Sequence, residues 1–117
     1  MNGLPQDVNL APLLGRAIEQ IRFSRWSIQL LLEGAFKIVV EGRLTIRSER
    51  MNLLIDDYSA HATEICSLIG SKILDAQRTQ DGGMEIQMSS GQVVCIQNSQ
   101  SHYESFQVHF GESVVVA

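Results

Sequence analysis

Apolar and polar residues alternate along much of this chain, and that period is typical of β-strands with one buried face. The alternating or continuously apolar stretches are 26–32, 36–40, 44–46, 84–88, 93–96, 106–110 and 114–116. Turn residues separate them, such as Glu33-Gly34 and Asp81-Gly82. Short strands joined by short turns predict antiparallel meanders. The unbroken run 93–96 predicts a more central strand.

A different period appears in residues 59–70, which predict the only substantial helix. The apolar positions of this segment fall on one helical stripe and are Ala62, Ile65, Cys66 and Ile69. Asp57 or Ser59 can cap the start by accepting free backbone N–H bonds. Gly70 suits the end, where helices often stop at a left-handed residue.

The two halves of the chain share a pattern. Leu13-Leu14-Gly15 and Ile18 match Leu68-Ile69-Gly70 and Ile73 at an offset of 55 residues. An alternating strand and a glycine turn follow in each half, so we interpret the chain as an internal duplication within one domain. Each half alone would leave one sheet face wet, and packing the two faces together would bury both.

These patterns predict an α+β fold that is mostly antiparallel β. Two related strand meanders form a sandwich or a partly open barrel, with one helix between them. We expect a single domain over residues 1–117. It comprises a lead-in segment (1–12), a first meander (13–50), the helix (59–70) and a second meander (71–117).

Composition excludes several function classes. The chain has 117 residues, a net charge of −4 and two cysteines. An acidic chain with scattered arginines predicts neither nucleic acid nor an anionic membrane as a partner. No signal peptide is evident, and no apolar run approaches the roughly 20 residues of a membrane span. Two cysteines make no disulfide framework, so we expect both to be reduced in a cytoplasmic protein.

The second half carries motifs that resemble a known family. They are Leu68-Ile69-Gly70, Asp81-Gly82, Ser90-Gly91 and Tyr103-Glu104-Ser105-Phe106. This pattern resembles an uncharacterised family of small bacterial β-rich proteins, a domain of unknown function. That family shows a Leu-Leu-Gly opening, a strand entered from Asp-Gly and a closing Tyr-Glu-Ala/Ser-Trp. The resemblance covers roughly residues 13–110, departs at Phe106 where an indole is usual, and implies a fold without a function.

One polar group has the spacing of a metal site. His61 and Glu64 share a helix face, and Asp57 could supply a third ligand for a divalent cation. The alternative, which we favour, is that acidic residues at a helix start complement its dipole on a solvated face.

A second polar group lies on the strand near the C-terminus. If Phe106, Val108 and Phe110 point inward, then Gln107 and His109 point outward, and Tyr103 shares that outer face. An exposed tyrosine and histidine on one face could form a binding patch, or they could be ordinary surface.

Nucleophilic catalysis has no support in the sequence, because no serine stands in a Gly-x-Ser-x-Gly elbow. Cys66 on the helix stripe and Cys95 in an apolar run are expected to be buried and inert. Trp26 begins an alternating apolar face and is expected in the core.

Several apolar residues break the alternation toward the outer faces, namely Leu31, Val39, Val94 and Ile96. Strands that are apolar on both sides need cover on both sides, which predicts a homodimer. The leading functional hypothesis is a non-enzymatic protein-interaction module, with an immunity protein that neutralises a toxin as one example. The alternatives are a small-molecule-binding domain and, last, a metal-dependent enzyme. No cofactor is predicted.

Overall fold

Strands form wherever an alternating or β-branched run is bounded by a turn. The computed structural model describes residues 3–98 and 106–117. Within those residues the strands are β1 (Ile18–Phe23), β2 (Ile28–Leu32), β3 (Phe36–Val40), β4 (Leu44–Ser48), β5 (Met51–Ile55), β6 (Ile73–Arg78), β7 (Met84–Met88), β8 (Val93–Ile96), β9 (Phe106–Phe110) and β10 (Ser113–Val116).

The strands form two five-stranded sheets. The first has the order β1-β2-β3-β9-β10 and the second β5-β4-β8-β7-β6, and every neighbouring pair is antiparallel. Neither sheet closes into a barrel within the described ranges. The predicted class, α+β and mostly antiparallel, is therefore confirmed in its sandwich form.

The core lies between the two sheets. Alternate residues of the strands point into it, such as Ile28, Leu30 and Leu32 of β2. Burying one such side chain stabilises the fold by about 1.5–3 kcal/mol. The outward direction predicted for Val94 and Ile96 is wrong, since both are buried and pair across the sheet with Ile46 and Leu44. A continuous apolar run carries no alternation, so its sequence could not fix which residues face inward.

A short antiparallel ladder joins the two sheets. The N–H groups of Gly15 and Ile18 donate to the carbonyls of Ile73 and Ser71, at 2.7 and 3.0 Å. In return, the N–H groups of Gly70 and Ile73 donate to the carbonyls of Ile18 and Arg16, at 2.8 and 3.0 Å. Residues 15–18 and 70–73 therefore bind each other reciprocally, and we call these four bonds the joint.

Positions that match in sequence occupy matching places in the two sheets. β1 and β6 are edge strands, and both have a register shift after their first residue. β3 and β8 are the central strands, and each pairs with a two-strand hairpin from the other half of the chain. Each half therefore contributes three strands to one sheet and two to the other.

The helix is shorter than predicted. A 3-10 helix spans Ser59–His61 and α1 spans Ala62–Cys66. After α1, the N–H groups of Leu68 and Ile69 bond to carbonyls three residues back, so the chain winds more tightly. This winding buries Ile65 and Leu68 and leaves Cys66 and Ile69 exposed. The described helices include none long and apolar enough to cross a bilayer.

The segment predicted as a lead-in contributes to the core. Leu4 and Leu10 are buried, and the N–H of Leu4 donates to the carbonyl of Gly82 at 2.8 Å. The Arg78 guanidinium returns a 2.6 Å bond to the Leu4 carbonyl. Gly3 lies so close to Gly82 that a Cβ atom there would sit 2.6 Å from its Cα. Residues 3–4 therefore cover the turn between β6 and β7.

The backbone conformation of Gly15, in the joint, predicts how much a substitution there lowers the free energy of unfolding. Gly15 has φ +82°, and a Cβ atom there would meet nothing within 4 Å. Gly15→Ala should therefore cost only the left-handed backbone strain, about 1–2 kcal/mol of unfolding free energy in urea denaturation. Gly15→Asn should lose less, because asparagine tolerates this conformation. Equal stability of the glycine and alanine proteins would contradict the assigned backbone geometry.

Candidate functional site

The largest exposed aromatic side chain lies on a hydrogen-bonded turn between β1 and β2. Trp26 is 73% exposed, so its predicted core position is wrong. Ser24 N–H donates to the Ser27 carbonyl at 2.9 Å, and Ser27 N–H donates to Ser24 Oγ at 3.0 Å. These bonds close a two-residue turn over Arg25 and Trp26. In the alternation of β2, Trp26 would fall on the buried side together with Ile28 and Leu30. The turn instead directs the indole away from the sheet.

Trp26 borders a surface depression of about 630 Å³ at one end of the sandwich. Three connections line it: residues 24–26 from the turn, 41–43 between β3 and β4, and 56–59 after β5. We call this region the Trp26 depression. It lies at the end of β1 opposite the joint, where both sheets contribute a wall.

Tyr58 forms the buried wall of the Trp26 depression. Its hydroxyl lies 2.5 Å from the Gly42 carbonyl and 3.3 Å from the Val40 carbonyl. Burial, and then the negative charges of Glu41 and Asp56, raises the pKa of Tyr58 to about 12. The tyrosine therefore stays neutral and fixes the connection between β3 and β4.

The charges around the Trp26 depression are mixed but acidic in balance. Arg43 and Asp56 form an ion pair at 2.7 Å, and both side chains are mostly exposed, so the pair adds little stability. The guanidinium of Arg25 lies 4.9 Å from the Trp26 ring centroid. The carboxylates of Glu41 and Asp57 complete the lining. A hydrogen bond from the Ser59 hydroxyl, at 2.8 Å, lowers the pKa of Asp57 and keeps it ionised.

The corresponding turn in the second half of the chain, between β6 and β7, is covered by other residues. Where β1 and β2 leave Trp26 exposed, the turn between β6 and β7 has no aromatic residue and is covered by residues 3–4. No described residue covers Trp26 in the same way. The two matching turns therefore differ in whether other residues cover them.

The predicted metal group is only partly assembled. His61 Nδ1 and Glu64 Oε1 lie 3.5 Å apart, and this nitrogen makes no hydrogen bond to any described residue. The Asp57 carboxylate accepts bonds from the Ser59 hydroxyl and N–H instead. Among residues 3–98 and 106–117, no three His, Cys, Asp or Glu side chains are grouped to hold a metal ion.

Two members of the predicted binding group lie together on the outer face of the first sheet. His109 Nε2 is 3.1 Å from Gln107 Oε1, while Tyr103 lies outside the described residues. Burial, and then the nearby Lys37 charge, lowers the pKa of His109, so its imidazole is neutral at pH 7. Leu31, Lys37 and His109 border a shallower depression of about 480 Å³.

The cysteines are free, and their surroundings differ. Cys66 is exposed, so the prediction that it is buried on a helix stripe is wrong. Cys95 is half-buried in β8, and burial raises the pKa of its thiol. A raised pKa disfavours the nucleophilic thiolate.

Comparison with models of known protein families places the chain in one of them. A family model matches residues 10–117, which is nearly the whole chain. The chain belongs to DUF6188, a family of unknown function. No curated protein and no solved structure matches it. The resemblance to an uncharacterised domain is thereby confirmed, and membership in DUF6188 assigns the chain no activity.

The sequence of this DUF6188 member singles out Trp26, Asp57 and Ser59 separately and does not group them into the Trp26 depression. A signal was present, because Ser24-Arg25-Trp26-Ser27 is a polar tetrapeptide between two apolar strands. Serines at the ends of such a tetrapeptide favour a turn, and a turn exposes whatever it carries. Glu41-Gly42 has the composition of a turn, but which other connections it meets depends on how the two sheets pack.

Tyr58→Phe tests the wall of the depression. Removing the hydroxyl leaves two carbonyls without that donor, so unfolding free energy should fall by about 1–3 kcal/mol. The pH dependence should also change. The raised pKa of Tyr58 contributes stability that is complete below its ordinary value of 10.0 and is lost as pH rises toward about 12. Urea denaturation from pH 9 to 12 should show this loss in the wild type and a smaller one in the variant.

Proposed function

We propose that this chain is a non-enzymatic protein-interaction module and that the Trp26 depression is its binding surface. The observation that carries the proposal is a 73% exposed tryptophan held on a hydrogen-bonded turn. Tryptophan is enriched at the energetic centre of protein interfaces. A rigid turn favours binding, because less side-chain and loop entropy is lost on association.

The shape of the depression favours a protein over a small molecule. Binding sites for small molecules bury most of the ligand surface in a cleft. The Trp26 depression is open at the end of the sandwich, and its aromatic side chain projects outward. Burying that indole against a partner would remove on the order of 150 Å² from water, worth up to about 4 kcal/mol.

The charge of the chain favours a basic partner. The net charge is −4, and Glu41, Asp56 and Asp57 all lie around the depression. Opposite charges speed association and reject wrong partners. An immunity-type role, in which the chain blocks a basic toxin, is one function of this kind.

We also propose that the fold arose by internal duplication and that the protein is cytoplasmic. The reciprocal bonds of the joint and the matched strand orders support the duplication. The two free cysteines suit a reducing compartment.

Trp26→Ala tests the binding surface, with Leu74→Ala as its control. Leu74 is also an exposed apolar residue, at 61%, but lies in β6 next to the joint. Each variant should keep its unfolding free energy within about 0.5 kcal/mol. Affinity capture from source cells, followed by calorimetry on the purified partner, should show a dissociation constant raised about 30-fold or more by Trp26→Ala alone. Equal affinity in all three proteins would contradict the proposal.

A second copy of the chain is the other candidate partner, and the edge strand β10 favours it. β10 has the sequence Ser-Val-Val-Val, without charge, proline or register shift. Exposed edge strands normally carry such features, because their free backbone groups can pair with another strand. β1 and β6, by contrast, contain charged residues and register shifts, whereas the edge strand β5 of the second sheet resembles β10 in having neither.

Val114→Lys tests self-association. Val114 is 46% exposed on the outer face of β10, so a lysine there should leave the core intact and oppose strand pairing. Size-exclusion chromatography with light scattering should show a dimer for the wild type at high concentration and a monomer for the variant. A wild-type monomer at every concentration would exclude the homodimer.

A further inference from the structure

We propose that the partner inserts an arginine side chain at the Trp26 depression, against the free face of the indole and beside Glu41 and Asp57. This inference rests on the proposed function and specifies the chemistry of the partner. The occupant is a positively charged, extended segment of a protein.

The Trp26 ring already attracts a guanidinium. Arg25 lies 4.9 Å from the ring centroid on one face, and the exposure of the side chain leaves the other face accessible. The chain uses the same contact elsewhere, since Arg16 stacks on Phe36 at 3.6 Å. The guanidinium of Arg16 also donates hydrogen bonds to the carbonyls of Pro12 and Glu33. A guanidinium on an aromatic face is therefore a contact that this fold forms in two places.

The charges of the depression leave room for one more cation. Arg43 is neutralised by Asp56 at 2.7 Å. Glu41 and Asp57 make no ion pair with an arginine or a lysine among the described residues; Asp57 accepts hydrogen bonds from Ser59 and Ala60 and lies within the electrostatic influence of His61. Apart from the Arg43–Asp56 pair, the lining therefore holds one arginine, Arg25, and two carboxylates. An incoming guanidinium would correct that imbalance, whereas a phosphate or a carboxylate would be repelled.

Arginine fits better than lysine because of its shape. A planar guanidinium can stack on the indole and still donate hydrogen bonds at its edge to a carboxylate. The covered turn of the other half shows how an extended segment can lie at such a position, since Leu4 bonds there through its backbone.

The sole tryptophan of the chain makes the test direct. Oligoarginine, oligolysine and oligocitrulline peptides of equal length would be titrated up to about 10 mM while the Trp26 indole N–H signal is followed by NMR. We expect saturable shifts with arginine, weaker binding with lysine, and at least about tenfold weaker binding with citrulline. No shift with oligoarginine, or equal binding of the citrulline peptide, would overturn the inference.

Glu41→Gln and Glu49→Gln separate local recognition from general charge. Both remove one carboxylate, but Glu49 lies in the turn between β4 and β5 at the joint end. Only Glu41→Gln should weaken oligoarginine binding, by about three- to tenfold. Equal weakening by the two variants would mean nonspecific attraction and would overturn the inference. If capture of the partner depends on Trp26 while the peptides fail, the interaction function stands and the arginine assignment falls.

Discussion

The four backbone hydrogen bonds of the joint are the constraint on which this fold depends. They tie residues 15–18 to residues 70–73, which begin the edge strands of opposite sheets. Each bond contributes only about 1 kcal/mol of net stability. Their larger effect is geometric, because they fix where both sheets start. Gly15 and Gly70 make them possible, since both have the positive φ that lets the chain turn into the ladder.

The end of the molecule that carries the joint also differs from the end that carries Trp26. At the joint end, the polar groups satisfy one another: the Glu33 carboxylate accepts from the Ala17 N–H, and Ser89 Oγ accepts from the Lys72 N–H. At the opposite end the strands separate into connecting segments. Residues 3–4 cover the turn between β6 and β7, whereas the turn between β1 and β2 exposes Trp26. This difference between two otherwise matching turns is what distinguishes the Trp26 depression from ordinary surface.

The sequence predicted the strands well because their signal is local. Alternation in 28–32, 36–40, 84–88 and 106–110 reflects one buried face, and β8 is central as its apolar run indicates. It gave no separate stretch for the edge strands β1, β5 and β6, and the Met-Asn-Leu-Leu-Ile of β5 does not alternate. The sequence pattern placed Trp26 in the core and Cys66 on a buried stripe, and both placements are wrong. The spacing of apolar residues alone cannot show that a turn, or a tighter helical winding, directs a side chain outward. The depression was beyond reach, because three connections meet there only after the sheets have packed.

The excess of apolar residues on the outer faces requires less cover than the sequence suggests. Val39 points outward from β3 but is only 9% exposed, and its cross-strand neighbours are Gln29 and Gln107. The long side chains of such neighbours shield an apolar residue without a third layer. The exposed large apolar side chains are spread over the edge strands and the connecting segments. Trp26 is the most exposed of them at 73%, followed by Leu74 at 61% and Leu54 at 50%. Association through an edge or an end leaves both sheet faces in water, so the polar residues on those faces remain solvated in the complex.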